Sequence, residues 1–475
     1  MNQTNQIIEE VVAKSEGLAR ELKLRNVVMV GVGGTIGTGV FLGSGEVLHS
    51  AGPGGMLLSY LIGGIVMWLM MMCLGELAAA MPASGQVQSW ATALINPSMG
   101  FTLGWVQYLA AAVTITAQIV ASAIMMKNII PSVPIAVYLV FFILLLLGAN
   151  MLSVKKGGES FFWVSSLKLI LIVVFAIIGL GFITGVVNTG SGAKFGLEMI
   201  RENGGWFPNG IMTPILMTLS TAIFAFGGSD IFASTAGEMK NTKDVKRAVT
   251  STAWVLLGSY LITLLVLSLT LPYTSANLLG SPFAYVFGQA GIKSAELIVN
   301  IIVLTSALTS GNYFVYTCTR YLWSMAKFAQ APKILQKVDR RKVPLAALFF
   351  TMIFAALAIV AAIVAEDTVY FFLLSLIAGA NIMIYGGTCL CQFLFRRKFL
   401  RDGGDVKTLH YRTPLFPFVP IAGIVTYLLV LVGMMIDPTQ RASLVISVVF
   451  YLALYLGYHF YRQKHPEQSK YGEQH

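Results

Sequence analysis

Short polar segments divide this chain into twelve apolar stretches, near 27–48, 54–80, 102–126, 133–153, 160–184, 212–236, 250–271, 294–319, 345–364, 369–395, 415–435 and 441–461. A run of roughly 20 apolar residues crosses a bilayer as a helix. With no water in the lipid core, the backbone must satisfy its own polar groups, and a helix does so. The predicted class is therefore an all-α integral membrane protein with twelve transmembrane helices. Across 475 residues, 56% are hydrophobic and only 11% charged, and the mean hydropathy is +0.76. A soluble multidomain enzyme is excluded. The polar tail before Asn26 lacks a small-residue cleavage site, so no signal peptide is expected.

Charge placement gives the topology. Of 32 Lys and Arg residues, 26 fall on segments of one side, together with both termini. Five fall on the other: Lys127, Lys194, Arg201, Lys293 and Arg441. The positive-inside rule makes the first side cytoplasmic. The net charge of +11 is thus a topology signal, and no nucleic-acid partner is expected. The four cysteines (Cys73, Cys318, Cys389, Cys391) lie in or at the ends of spans, with no His at ligand spacing. Neither a metal, a cofactor nor a disulfide framework is expected.

The first span contains Gly31-Val32-Gly33-Gly34-Thr35-Ile36-Gly37-Thr38-Gly39. Glycine weakens a helix interior more than any residue but proline. Five glycines in nine positions predict a helix interrupted at mid-membrane. Unwound backbone survives at that depth only where it is buried in protein or lines a cavity. The sixth span has a matching break, Phe224-Ala225-Phe226-Gly227-Gly228-Ser229-Asp230. Glycine pairs also permit close helix packing, and Gly33 to Gly37 fits that spacing. Two breaks in corresponding positions, however, are the pattern of a transporter built from inverted repeats. The expected organisation is a tail over 1–26, a five-helix repeat over 27–184 and an outward loop over 185–211 containing a short helix. A second five-helix repeat over 212–395, a loop over 396–414, peripheral helices 11 and 12 over 415–461 and a tail over 462–475 follow.

Gly33 through Gly45, then Ala51-Gly52-Pro53, Gly75-Glu76-Leu77, Met81-Pro82-Ala83-Ser84-Gly85, Ala236-Gly237-Glu238 and Ser281-Pro282-Phe283 resemble one family over essentially the whole chain. It is the bacterial amino-acid permeases of the amino acid–polyamine–organocation superfamily, amino acid transporter branch. The resemblance implies a LeuT-type five-plus-five inverted-repeat fold with broken helices 1 and 6. It also implies import of an amino acid, usually with a proton.

A zwitterionic substrate needs donors for its carboxylate and acceptors for its ammonium. Free N–H groups and the positive end of a helix dipole stand at the outer half of span 1. The family's pattern puts the carboxylate on Gly37, Thr38 and Gly39, and the ammonium near the carbonyl of Thr35 or Ile36. The matching span 6 carbonyls are those of Phe224 and Gly227. Phe224 also falls where the superfamily has an aromatic gate, although a core-facing ring fits the position too. Asp230 suits a cationic substrate, or an acid following a capping Ser229 at a helix start. Glu238, near Lys240, Lys243 and Arg247, suits an inner-gate ion pair, and Glu76 a structural one. The branch has an acid where this chain has Gln118, so the side-chain pocket is expected to favour neutral or small polar amino acids over dibasic ones.

Lys168, eight residues into span 5, is an intramembrane charge and hence a functional candidate. It could snorkel to the interface. The family instead places a lysine here in lieu of a sodium ion. Its expected partners are carbonyls around Gly31 to Gly34 and the hydroxyl of Thr309 or Ser310, with the coupling proton on the lysine. The leading function is a proton-coupled amino-acid importer of the cytoplasmic membrane, its partners being an amino acid, a proton and membrane lipid. An amino-acid or amine exchanger, a polyamine permease and a transceptor-type sensor are the alternatives. No Ser-His-Asp set, metal cluster or nucleotide loop supports an enzyme.

Overall fold

The computed structural model describes residues 3–15, 22–41, 43–151, 154–186, 194–234, 239, 244–275, 282–289, 295–364, 369–436 and 438–464. These are almost entirely helical; the one β-type pairing is an isolated bridge between Leu22 and Met239. The helices are α1 (Gln3–Lys14), α2 (Leu24–Thr35), α3 (Thr38–Phe41), α4 (Gly43–Ala80), α5 (Val87–Leu94), α6 (Pro97–Ile129), α7 (Ile135–Asn150), α8 (Val154–Ile183) and α9 (Leu197–Glu202). They continue as α10 (Met212–Ala225), α11 (Ile231–Ser234), α12 (Val245–Thr270), α13 (Pro282–Gln289), α14 (Ala295–Lys327), α15 (Leu345–Val364), α16 (Val369–Arg401), α17 (Phe418–Ile436) and α18 (Pro438–Lys464).

Among the described residues, seven helical stretches are long and apolar enough to cross a membrane: Gly43–Ala80, Pro97–Ile129, Ser165–Ile183, Val245–Thr270, Val299–Lys327, Phe418–Ile436 and Gln440–Lys464. Shorter apolar helices run over Ile135–Asn150, Met212–Ala225 and Leu345–Ala356. The first apolar span of the sequence is divided among α2, α3 and the start of α4. It meets the second inside α4, where Gly52 (φ 73°) breaks the helical path before Pro53. There the Gly54 N–H donates to the Trp206 carbonyl at 2.7 Å. The loop after α9 thereby supplies the acceptor that the broken helix does not.

Boundaries move where caps act. Span 3 begins at Pro97 rather than 102, because the Asn96 side chain accepts from the Met99 N–H at 2.7 Å and proline fits the first helical turn. α14 packs along α6, and α10 and α12 pack along α4. The elements expected in the two repeats therefore interlock in one core.

A buried ion pair ties α4 to α16. The Arg396 guanidinium donates through Nε (2.7 Å) and Nη2 to the Glu76 carboxylate. Gln392 Nε2 and the Thr413 N–H also donate to Glu76, at 3.1 and 2.6 Å. At the chain's start, the Thr4 N–H and hydroxyl donate to Asp402 at 2.9 and 2.6 Å, and that hydroxyl bond holds the Asp402 carboxyl below its usual range.

Glu76 is the structural residue the sequence suggested, and breaking its pair should cost far more than replacing it. Arg396→Met should destabilise the protein by about 3–5 kcal/mol, because a buried carboxylate loses its cation. Adding Glu76→Gln should recover most of that loss, as read from thermal unfolding of detergent-purified protein. Equal melting temperatures for Arg396→Met and the wild type would contradict this assignment.

Candidate functional site

Two helices stop side by side in the core. α2 ends at Thr35 and α3 begins at Thr38; α10 ends at Ala225 and α11 begins at Ile231. The approach of the two breaks requires glycine. A Cβ on Gly39 would lie 2.8 Å from the Ala225 Cα. Gly228 has φ +91°, and a Cβ there would lie 2.9 Å from the Gly34 carbonyl oxygen.

An interrupted helix leaves its last carbonyls without N–H partners. At the end of α2 the Ile36 N–H still reaches Val32, and the next four carbonyls receive side-chain donors. Lys168 Nζ, on α8, donates to the carbonyls of Gly33 and Ile36, each at 2.7 Å. Ser310 Oγ donates to Gly34 at 2.8 Å and Ser306 Oγ to Ile36 at 3.0 Å, both from α14. The Tyr260 hydroxyl, on α12, donates to Thr35 at 3.2 Å and to Ala225 at 2.9 Å. Lys168 is 2% exposed, so its head lies in the protein and snorkelling is ruled out.

A cavity opens beside the two breaks. Its wall includes Thr35, Gly37, Gly39, Phe224, Gly227 and Asp230. Gln118 and Ser310 also line it. Gln118 Oε1 is buried with no hydrogen-bond partner among the described residues. The Thr38 side chain lies outside the described residues, as do Glu238, Lys240 and Lys243 of the suggested inner-gate pair.

Three sequence expectations need correction. The Ile36 carbonyl is no ammonium acceptor here: Lys168 and Ser306 fill both its lone pairs, and Ile36 does not line the cavity. Thr309 donates back to the Thr305 carbonyl of its own helix at 2.5 Å, and Ser306 stands where it was expected. The reason is helical phase: Ser306 and Ser310 share a face at i, i+4, and Thr309 is rotated off it. Ser229 does not cap α11, since its buried hydroxyl has no partner among the described residues. The Ile231 and Ala233 N–H groups take the backbone carbonyls of Gly228 and Asp230 instead.

Asp230 lines the cavity. Its Oδ1 accepts from the Tyr385 hydroxyl at 3.1 Å. Its backbone carbonyl accepts from Gln86 Nε2 at 3.0 Å, and Gln86 Oε1 accepts from Gln107 Nε2 at 2.9 Å. Gln107, Thr114, Tyr321, Asn381 and Tyr385 complete the polar lining, and none was named as a site residue from sequence. Spacing could have found Ser306; nothing local marks Asn381 or Tyr260.

The arrangement sets the start of α3, a helix end that suits an anionic group, beside the end of α2, whose carbonyls take the Lys168 Nζ of α8. The family profile described as "Amino acid permease" matches residues 26–470. The chain is 38% identical over 450 residues to the putative histidine permease of Bacillus subtilis (strain 168), covering 94% of each. It is 33% identical over 490 residues to the lysine-specific permease LysP of Escherichia coli (strain K12), covering 98% of this chain and 100% of that one. It is 32% identical to the gamma-aminobutyric acid permease of B. subtilis, covering 94% of each.

Gly39→Val should abolish amino-acid binding, because the new side chain meets the Ala225 backbone, which cannot yield. Gly148→Ala, whose Cβ meets nothing within 4 Å, should bind as the wild type does. Equilibrium binding to both purified variants is the check, and wild-type affinity in Gly39→Val would refute the close approach of the breaks as a requirement.

Proposed function

Because the chain belongs to the amino acid permease family, we propose that it imports an amino acid across the cytoplasmic membrane by proton symport with alternating access. The proposed architecture is twelve spans with both termini cytoplasmic, the first ten forming two inverted five-helix repeats of LeuT type around broken spans 1 and 6. The protein is a multi-pass membrane transporter rather than an enzyme. Substrate carboxylate binds the N–H groups of Gly37, Thr38 and Gly39. The ammonium binds the Thr35 carbonyl and the span 6 break at Phe224 and Gly227. Gln118 and Asp230 face the side chain.

The observation that carries proton coupling is Lys168. A buried ammonium on two carbonyls of α2 makes the position of that half-helix depend on the lysine's charge. Losing the proton weakens both bonds, which frees α2 to move and ties proton release to substrate release. Ser306 and Ser310 join the same set from α14.

The test is uptake into proteoliposomes, with and without an imposed proton gradient, across all common amino acids and γ-aminobutyrate. Histidine, lysine and γ-aminobutyrate are included because relatives are named for them. Wild-type protein should concentrate at least one substrate only when the gradient is present. Lys168→Ala should lose that accumulation while retaining binding and downhill exchange. Gradient-driven accumulation by Lys168→Ala would move the coupling site elsewhere, and wild-type uptake that ignores the gradient but requires internal substrate would favour an exchanger.

A further inference from the structure

Tyr260 stands behind both breaks. Its side chain is fully buried, packed on Phe226 with ring centroids 4.8 Å apart and on Tyr60 at 6.4 Å. Its hydroxyl lies 2.9 Å from the carbonyl oxygen of Ala225 and 3.2 Å from that of Thr35, the last residues of α10 and α2. Thr35 and Ala225 line the cavity and Tyr260 does not, so the phenol reaches these carbonyls from the side away from the ligand space.

A phenol carries a single donor proton. It cannot give a full hydrogen bond to two carbonyls at once, and the nearer one, Ala225, holds the larger share. The rest of the α2 terminus is better served. Gly33 and Ile36 have the Lys168 ammonium, and Gly34 has a serine hydroxyl at 2.8 Å. Among the described residues, Thr35 has only the divided proton. It is the cavity-lining carbonyl at the end of α2 with the most acceptor capacity left.

We propose that Tyr260 is a shared latch between the two broken helices. In the empty site its proton is split between them. When the α-ammonium of a substrate takes the Thr35 carbonyl, the proton settles on Ala225 and tightens the cap on α10. Occupancy at one break is thereby transmitted to the other with no covalent change. Tyr260 is a positioning residue, since it acts through backbone carbonyls and does not touch the ligand. The proposal rests on amino-acid binding as described under Proposed function and adds the residue that links the two halves of the site.

The experiment compares each amino acid with its counterpart lacking the α-amino group, on full-length purified protein. The pairs are histidine with imidazolepropionate, lysine with 6-aminohexanoate and leucine with 4-methylpentanoate, and the readout is the ratio of the two dissociation constants. Tyr260→Phe keeps the ring but leaves the Thr35 carbonyl without a donor in the empty protein. The ammonium then satisfies an otherwise unpaired acceptor, and the preference for the amino acid over its analogue should rise about two- to three-fold, the worth of part of one ordinary hydrogen bond. A packing role would shift both members of a pair alike. Incorporating 3-fluorotyrosine at position 260 keeps the shape and strengthens the donor, so the preference should fall. An unchanged or reduced preference in Tyr260→Phe, or an unchanged one with fluorotyrosine, overturns the latch while leaving amino-acid transport in place. Wild-type protein that binds none of the amino acids overturns the proposed function and the latch together.

Discussion

The bond on which the rest depends is the one from the Lys168 ammonium to the carbonyls of Gly33 and Ile36. A helix that stops inside a membrane protein exposes a cluster of partial negative charge at its C-terminal end. No water is present in the hydrocarbon core to neutralise it. A cation on the neighbouring helix α8 does so, and in return the carbonyl dipoles make a charge tolerable at 2% exposure. Each feature offsets a cost of the other: the carbonyls give the buried lysine its acceptors, and the lysine gives two of those carbonyls a donor.

That pairing gives the site its polarity. On the C-terminal side of the gap, side chains from α8, α12 and α14 already occupy the carbonyls. On the N-terminal side, Gly37 and Gly39 at the start of α3 line the cavity. The acceptors at Gly33, Gly34 and Ile36 thus have close side-chain donors, and Thr35 has a shared one. In the proposed mode of binding, the ligand's anionic end meets the N-terminal side. The second break, at Phe226 to Asp230, closes most of its own backbone bonds and contributes walls and one acid. The two breaks are therefore alike in sequence and different in bonding.

Features that depend on backbone chemistry were legible in the sequence. Glycine density located both interruptions, and a lone lysine in an apolar run located the cation. Features that depend on helical phase or on tertiary approach were less so. Thr309 and Ser310 look interchangeable along the chain, but they point about 100° apart, and the i, i+4 partner of Ser310 is Ser306. The Ile36 carbonyl looked open because nothing in the local sequence says that α8 and α14 converge on it. Tyr260 sits in an ordinary apolar helix, and only the packing of α12 against α4 and α2 brings its hydroxyl to two helix ends. Span ends shifted where a cap such as Asn96 extended a helix beyond its apolar run.

The central claim is that the first break binds an amino acid through donors its backbone has kept free, while Lys168 holds the acceptors. The most direct measurement is an experimental structure with a bound amino acid. The carboxylate is expected within hydrogen-bond distance of the N–H groups of Gly37, Thr38 or Gly39, with Lys168 still on the Gly33 and Ile36 carbonyls. A carboxylate held by side chains such as Gln118 or Asn381, or by Lys168 itself, would contradict the account.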